Sequence, residues 1–361
     1  MTMKIRGVVV RSAGATPAVE TLRLEPPGPG EVQVRVLATG VCHTDLHAQR
    51  GHFGREFPYL LGHEATGVLE AVGPGVDGSR VGETVMLNWR APCGRCRFCA
   101  RGRPAQCARP LTAEPRMFTE DGLALGRVLG LGTFSTHTVV AAGQATPVAP
   151  ELSPEATCLI GCCVATGVGA ALHAGEVSAG HTVAVFGCGA VGTSVIQGAR
   201  LAHAARIIAV DVAPRKLAWA RELGATDVVD AREGDPVKQV RALTGGLGVD
   251  RAFEAVGLPE TLAQALGCCD LGGRCVLIGV PAPGATVPLN LARFFYQRGD
   301  LRATFYGDCL PSRDFPVLAA LYARGELRLD ALVTQRLGLD DVPEAFALME
   351  RGESLRAVLT P

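Results

Sequence analysis

Residues 183–192 read Val183-Ala184-Val185-Phe186-Gly187-Cys188-Gly189-Ala190-Val191-Gly192, and this stretch decides the fold. An apolar run rich in valine meets a G-x-G-x-x-G turn, and a helical stretch, Ala190–Ala202, follows. The first glycine permits the sharp turn. The second lets a pyrophosphate approach the backbone, and the third lets helix and strand pack closely. The helix start offers free N–H groups and a partial positive charge to phosphates. A second strand-like run, Ile207–Val210, ends in Asp211, where a carboxylate would bond the adenosine ribose 2′-hydroxyl. Asp211 would repel a 2′-phosphate, which argues for NAD over NADP; Arg215 and Lys216 nearby weaken that argument. Strand-like and helical runs then keep alternating: Pro214–Leu223, Asp227–Val229, Pro236–Leu243, Arg251–Ala255, Glu260–Cys268 and Arg274–Ile278. Such alternation predicts βαβ units, an α/β domain with a parallel sheet covered on both faces.

The part before residue 181 has a different texture. Lys4–Val10, Glu31–Leu37, Ala65–Gly73 and Glu83–Asn88 are short β-type runs, separated by turns such as Pro26-Pro27-Gly28-Pro29-Gly30. They predict a β-rich, barrel-like half. The stretches Phe315–Arg324 and Val342–Arg351 predict two amphipathic helices in the tail. A chain of 361 residues suggests two or three domains with a large core. With 48% hydrophobic and 19% charged residues, intrinsic disorder is excluded. Basic and acidic residues balance at 35 each, which argues against a nucleic-acid partner and against polybasic membrane attachment. Met1–Val10 lacks the pattern of a secretory signal. The 13 cysteines are therefore expected to be reduced, in a cytoplasmic protein. Ala156–Leu172 is uncharged over 17 residues but glycine-rich, and predicts a buried helix rather than a membrane span.

Cys93, Cys96, Cys99 and Cys107 are spaced C-x2-C-x2-C-x7-C within a lobe at about 90–110. Four thiolates this close suit a tetrahedral structural zinc site, which would fold a polar loop that has no core of its own. An iron–sulfur cluster is the rival, but the C-P continuation that many clusters carry is missing. A second group of candidate ligands is scattered: Cys42-His43-Thr44-Asp45-Leu46-His47, His63-Glu64, and Gly161-Cys162-Cys163-Val164-Ala165-Thr166-Gly167. Spacing alone neither assembles these three segments nor chooses among Cys158, Cys162 and Cys163.

From Gly7 to about Leu359 the chain resembles the zinc-dependent alcohol dehydrogenases of the medium-chain dehydrogenase/reductase family. The resemblance implies a GroES-like catalytic domain, 1–163 and 306–361, and a Rossmann NAD-binding domain, 164–305. It implies two zinc ions per subunit, one structural and one catalytic. The catalytic ligands would be Cys42, His63 and Cys162, leaving a fourth position open. Glu64 and Asp45 would be carboxylates tuning that site. Thr44 and His47 would relay the hydroxyl proton as hydride passes from a zinc-bound primary alkoxide to NAD. His43, Lys216 and Arg356 would contact the cofactor's phosphates and ribose. Thr166 and Gly279 would lie at the nicotinamide, and Gly187, Gly189, Gly192 and Asp211 would complete the cofactor set. The resemblance also implies a homodimer or homotetramer acting on a small alcohol, aldehyde or thiol adduct.

Leu87-Asn88-Trp89-Arg90-Ala91, Cys99-Ala100-Arg101-Gly102-Arg103-Pro104 and Tyr306-Gly307-Asp308-Cys309-Leu310-Pro311 are similar to the branch that oxidises S-(hydroxymethyl)mycothiol, the formaldehyde adduct of mycothiol. Cys163, Ala165-Thr166 and residues 112–128 depart from that branch. Arg109, Arg116 and Arg127 would either meet an anionic carrier or sit on the surface as ordinary cations. Three alternatives stand beside this branch. They are a general primary or aromatic alcohol dehydrogenase or aldehyde reductase that uses no thiol, a polyol dehydrogenase, and a zinc- and nucleotide-binding protein without turnover.

Overall fold

The computed structural model describes residues 2–52 and 57–361. The chain divides into two compact units, Met1–Cys162 with Leu310–Pro361, and Cys163–Cys309.

The first unit is β-rich. Its larger sheet is built on the strand Glu31–Gly40, which pairs antiparallel with Ala65–Val72 and with His137–Ala141. Val32, Val34 and Val36 alternate with polar positions and are buried, whereas Arg35 on the other face is exposed. That period of two is what a half-buried strand requires. The strand Arg356–Leu359 joins the same sheet, with Val358 opposite Gly40 and Leu359 opposite Thr39. A smaller sheet orders Met117–Thr119, Ala18–Leu24, Met3–Val10, Tyr59–Leu60 and Gly126–Arg127. Val8, Val10, Val41, Leu46, Leu61 and Phe134 form one core with Val342, Phe346 and Leu359, so the tail of the chain closes the core begun at its head.

The second unit is a six-stranded parallel sheet. Its order is Asp227–Asp230, Arg206–Asp211, Thr182–Phe186, Val249–Glu254, Cys269–Leu277 and Asp300–Ala303. In chain order this is 3-2-1-4-5-6, the doubly wound arrangement. Val183–Phe186 are all buried, as expected for a strand with helices on both faces. The helix Ala190–Leu201 buries Ala190 and Gly192–Ala199 against it. The edge strand Asp300–Ala303 and the strand His137–Ala141 carry weak patterns, and the sequence does not predict them.

The uncharged run is not one helix. It forms Pro154–Thr157 with a 3-10 turn Cys158–Gly161, then Cys163–Gly169 continuing as a π-helix Ala170–Ala174. Cys162 separates them at φ −145°, ψ −77°, outside helical geometry. Among the described residues, no single helix is long and apolar enough to cross a membrane.

Candidate active site

The first unit gathers Cys42, His63, Glu64 and Cys162, with one ligand atom of each lying within 4.8 Å of the others. Cys42 caps the N-terminus of the helix His43–Gln49, directly after the central strand. His63 and Glu64 lie on the segment entering the next strand, whose turn requires Gly62 at φ +93°. A side chain there would strike the Phe134 backbone at 2.3 Å. Cys162 reaches the cluster because the helical run breaks at that residue. Cys158 spends its thiol on the Glu155 carbonyl at 3.2 Å, and Cys163 opens the next helix, buried. Of the three cysteines, Cys162 is the one whose sulfur lies in this cluster.

Asp45 organises the cluster. Its Oδ1 accepts from His63 Nδ1 (3.1 Å) and Gly62 N (2.9 Å), and its Oδ2 accepts from Cys42 N (3.2 Å). With Nδ1 so engaged, Nε2 is the ring nitrogen left to the cluster, 3.8 Å from Glu64 Oε1. That nitrogen and both Glu64 carboxylate oxygens are buried and take no hydrogen bond. Arg356 Nη2 stands 3.3 Å from Glu64 Oε1, and its Nη1 donates to the Val41 carbonyl at 2.6 Å. Arg356, the residue expected at a phosphate, is only 5% exposed and lies beside Glu64.

The electrostatics mark a set of donors that share charge. The hydrogen bond with Cys162 holds the Cys42 thiol well below its ordinary value, aided by Arg356 and His63. The same bond and burial push Cys162 well up. Burial opposes the His63 imidazolium, but the Asp45 carboxylate and its hydrogen bond hold it well above the usual value. Burial raises Glu64 to about 7 against the pull of Arg356. Two sulfurs, an orphaned imidazole nitrogen and a carboxylate in one buried cluster fit a zinc ion.

Thr44 Oγ1 lies 3.6 Å from Cys42 Sγ. His47, one turn further along the same helix, is half-buried, with its ring centroid 5.1 Å from that of His52. Burial and His52 lower its pKa. His43 is exposed in the first turn.

The lobe cysteines also converge. Cys93 and Cys107 are 3.5 Å apart at sulfur, Cys96 and Cys99 3.5 Å, and Cys96 and Cys107 3.9 Å. Four sulfurs at about 2.3 Å from one ion stand roughly 3.8 Å apart, so the set fits tetrahedral zinc. All thirteen cysteines are free thiols. Backbone N–H groups of Cys99 and Ala108 draw the Cys96 thiol down to about 6. Burial and the neighbouring thiols push Cys99 up to about 12.

In the second unit Gly187 sits at φ +90°, and its N–H donates to the Val210 carbonyl. A Cβ on Gly192 would lie 1.8 Å from the Gly187 carbonyl oxygen, so strand and helix meet there at backbone distance. A Cβ on Gly189 would meet nothing within 4 Å. It would project into open space. Asp211 Oδ2 accepts from Cys188 N (2.7 Å) and Oδ1 from Ala213 N (2.9 Å), which fixes the turn. Arg215 lies over the Trp219 ring at 5.1 Å, while Lys216 is half-buried on the same helix. Thr166 is half-buried on Cys163–Gly169.

Sequence reasoning missed Glu254. Wholly buried at the end of its strand, its Oε1 accepts from Val256 N (2.8 Å), Gly257 N (2.8 Å) and Thr261 Oγ1 (2.7 Å). The Gly257 backbone packs so closely on Gly279 that a Cβ on Gly279 would come within 2.1 Å of Gly257 N. A Cβ on Gly187 would meet Val256 at 2.6 Å. One carboxylate thus ties the turn that lies between Gly187 and Gly279. An acid closing a core strand just before Ala-Val-Gly was the available signal.

A β-rich unit holding a Cys–His–Cys cluster and a cysteine lobe, together with a doubly wound sheet bearing a nucleotide turn, defines the class of zinc-dependent dehydrogenases. Comparison with known proteins agrees. Residues 28–150 match the alcohol dehydrogenase GroES-like domain and residues 190–324 the zinc-binding dehydrogenase domain. An S-(hydroxymethyl)glutathione dehydrogenase of Synechocystis sp. is 37% identical, with 99% of this chain and 100% of that protein covered. The protein of that name from Escherichia coli is 36% identical with the same coverage. Among solved structures, an alcohol dehydrogenase zinc-binding domain protein from Burkholderia ambifaria superposes with TM-score 0.95 at 34% identity, covering 100% of this chain and 99% of that one. A benzyl alcohol dehydrogenase from Acinetobacter calcoaceticus gives TM-score 0.92 at 29% identity, with 99% of both chains covered. The chain belongs to the zinc-dependent alcohol dehydrogenase family, oxidoreductases acting on alcohol donors. The names of the Synechocystis and Escherichia coli relatives specify glutathione, not mycothiol.

Proposed function

We propose that this protein oxidises a primary hydroxyl with NAD, and that its substrate is a hydroxymethyl thiol adduct, the product of formaldehyde with a low-molecular-weight thiol such as mycothiol. In this reading the unit Met1–Cys162 with Leu310–Pro361 is the catalytic domain and Cys163–Cys309 the cofactor domain. Cys42, His63 and Cys162 hold the catalytic zinc, and Cys93, Cys96, Cys99 and Cys107 hold the structural one. The observation that carries the proposal is the buried His63 Nε2, oriented by Asp45 and taking no hydrogen bond, beside two cysteine sulfurs.

Zinc, when bound, supplies a Lewis acid that makes a hydroxyl far more acidic. NAD, when bound, supplies the hydride acceptor. The rest belongs to the chain. Asp45 fixes the His63 tautomer so that Nε2 is the donor atom. Thr44 Oγ1 takes the hydroxyl proton, and His47, three residues on along one helix face, receives it and passes it to water. The lowered pKa of His47 keeps the ring neutral near pH 7 and able to accept a proton. Gly187, Gly189 and Gly192 admit the pyrophosphate, Asp211 accepts from the adenosine ribose, and the Gly279 backbone borders the nicotinamide.

A homodimer or homotetramer is part of the proposal. Leu291, Phe295 and Tyr296 are 74–78% exposed on one short helix, a contiguous apolar surface of the kind that marks contacts between subunits.

A second reading, a dehydrogenase of plain primary or aromatic alcohols, has one observation in its favour. Arg116 is spent on Glu31 (2.9 Å) and Glu25 (3.7 Å), and Arg127 on the carbonyls of Val139 (2.8 Å) and Ala113 (2.6 Å). Neither is left to greet an anionic carrier. The deciding experiment measures NADH formation by the zinc-loaded enzyme. Substrates are formaldehyde with mycothiol, formaldehyde with glutathione, and plain primary and aromatic alcohols. A strict requirement for thiol upholds the adduct, and which thiol serves names the carrier. Rapid turnover of plain alcohols without benefit from thiol establishes the second reading instead.

A further inference from the structure

The zero net charge of this chain conceals a separation. Residues 90–109 contain six arginines and no aspartate or glutamate. Removing those six from 35 basic residues leaves 29 against 35 acidic ones in the rest of the chain. Arg90 turns inward, donating to the carbonyls of Ala105 (3.3 Å) and Cys107 (3.0 Å), and so stitches the lobe together. Arg95, Arg97, Arg101, Arg103 and Arg109 are exposed. Among the described residues these five make no ion pair. A zinc ion held by four thiolates carries a formal charge of roughly −2, so the centre neutralises fewer than half of them.

The lobe is also compact. Its four sulfurs lie within 4.8 Å of one another, and no exposed arginine is more than four residues from a cysteine. At about 3.8 Å per residue each lies within about 15 Å of a lobe cysteine, so all five fall on one knob on the order of 30 Å across. The knob has no apolar core to offer a protein partner. It contains no exposed large hydrophobic residue, and its one aromatic ring, Phe98, lies under the Arg97 guanidinium at 4.6 Å. Protein interfaces are anchored by buried aromatic and aliphatic contacts. A surface whose attraction is almost wholly charge suits a polyanion, and an arginine stacked on a phenyl ring is a surface on which an unpaired base can rest.

We propose that the cysteine lobe is a docking surface for single-stranded nucleic acid, gripped by its phosphodiester backbone without regard to sequence. The expectation of no nucleic-acid partner rested on the sum of the charges, and that sum cancels across the molecule. The complex is weak and strongly dependent on salt. Five phosphate contacts give a slope of log K against log salt of about −3.5, and a Kd on the order of micromolar to 100 µM near physiological salt.

The test titrates full-length, zinc-loaded enzyme into a fluorescein-labelled single-stranded oligonucleotide of mixed sequence and follows anisotropy at several salt concentrations. The titration is repeated with saturating NADH and with polyglutamate as competitor. The triple variant Arg97→Gln, Arg101→Gln, Arg103→Gln is run alongside. Its zinc content and dehydrogenase activity stay at the wild-type level, and its salt slope falls by about 2 units. The proposal stands if wild type binds with the steep slope, NADH leaves the complex intact, and the triple variant flattens it. Absence of binding at about 50 mM salt overturns it. So does displacement by NADH, which would put the oligonucleotide in the nucleotide turn. Equal competition by polyglutamate, charge for charge, would assign the surface to an acidic protein. If the triple variant loses zinc, the wild-type slope and the NADH arm still decide.

Discussion

Replacing Glu254 by alanine removes the acceptor from two backbone N–H groups and one hydroxyl at a position with no exposure to solvent. The Thr261 hydroxyl can turn to the Leu258 carbonyl at 3.0 Å, but the two N–H groups cannot, and at about 1–3 kcal/mol for each donor left unpaired the loss is on the order of 4 kcal/mol. Glutamine keeps an acceptor oxygen in place and costs about 1 kcal/mol by the same reasoning. The loss falls on the turn 255–258, which packs on Gly187 and Gly279. It therefore appears first as weakened binding of the dinucleotide. If half of it is expressed there, NADH binds about 30-fold more weakly, at 1.4 kcal/mol per tenfold. The assay is an NADH fluorescence titration paired with a urea unfolding midpoint, on wild type, Glu254→Ala and Glu254→Gln. The expected order of affinity is wild type, then glutamine, then alanine, with the zinc content of all three equal. An alanine variant within twofold of wild type in NADH affinity and unchanged in urea midpoint refutes the reasoning.

Asp45→Asn leaves His63, Gly62 N and Cys42 N competing for one acceptor oxygen. Affinity at the catalytic zinc site should fall 10- to 100-fold, roughly the effect of losing a partner of a ligating histidine. Timed chelation should then strip one zinc early while the lobe keeps the other. His47→Gln should lower turnover near neutral pH with zinc content unchanged, and an unaltered pH–rate profile would remove His47 from the proton path. Glu31 gives a prediction about acid. Burial alone would raise its pKa, but N–H groups of Gly28 and Glu114 and the Arg116 guanidinium hold it below 4.5. The unfolded chain takes up that proton first, so Glu31 contributes stability above pH 4.5 that is lost as pH falls through its folded-state value. Glu31→Gln should lower stability at neutral pH and flatten its decline in acid, as read by unfolding midpoints across that range.

What the sequence disclosed follows the range over which each feature is built. The nucleotide turn and the cysteine lobe are local, ten and fifteen residues long, and their spacing alone carries the chemistry. The cluster of Cys42, His63 and Cys162 joins three segments whose meeting depends on sheet pairing and on a helix broken at Cys162. Without that break, Cys158, Cys162 and Cys163 look alike. The partnership of Glu64 with Arg356 was hidden for the same reason, since it exists only because Arg356–Leu359 pairs beside Gly40. Arg116 and Arg127 looked free because nothing local says that Glu31 and the carbonyls of Val139 and Ala113 claim them. Glu254 escaped notice because a single acid at a strand end has many fates, and only the turn folded back upon it shows which one applies.

The placement of Arg356–Leu359 in the sheet of the first unit has a consequence for biosynthesis. The segment that seats a guanidinium against Glu64 leaves the ribosome after the whole of Cys163–Cys309 has been made. The cofactor unit is continuous and can close while translation is still running, whereas the cluster around Cys42 waits for its last strand. Until that strand arrives, Val8, Leu61 and Phe134 lack Leu359, and the sheet edge at Thr39 and Gly40 lies open to pairing with other chains. A nascent chain stalled between the two units would hold a finished nucleotide turn and an unfinished metal cluster. Quality control acting on such chains has an interval, set by the elongation rate, in which to bind the exposed edge.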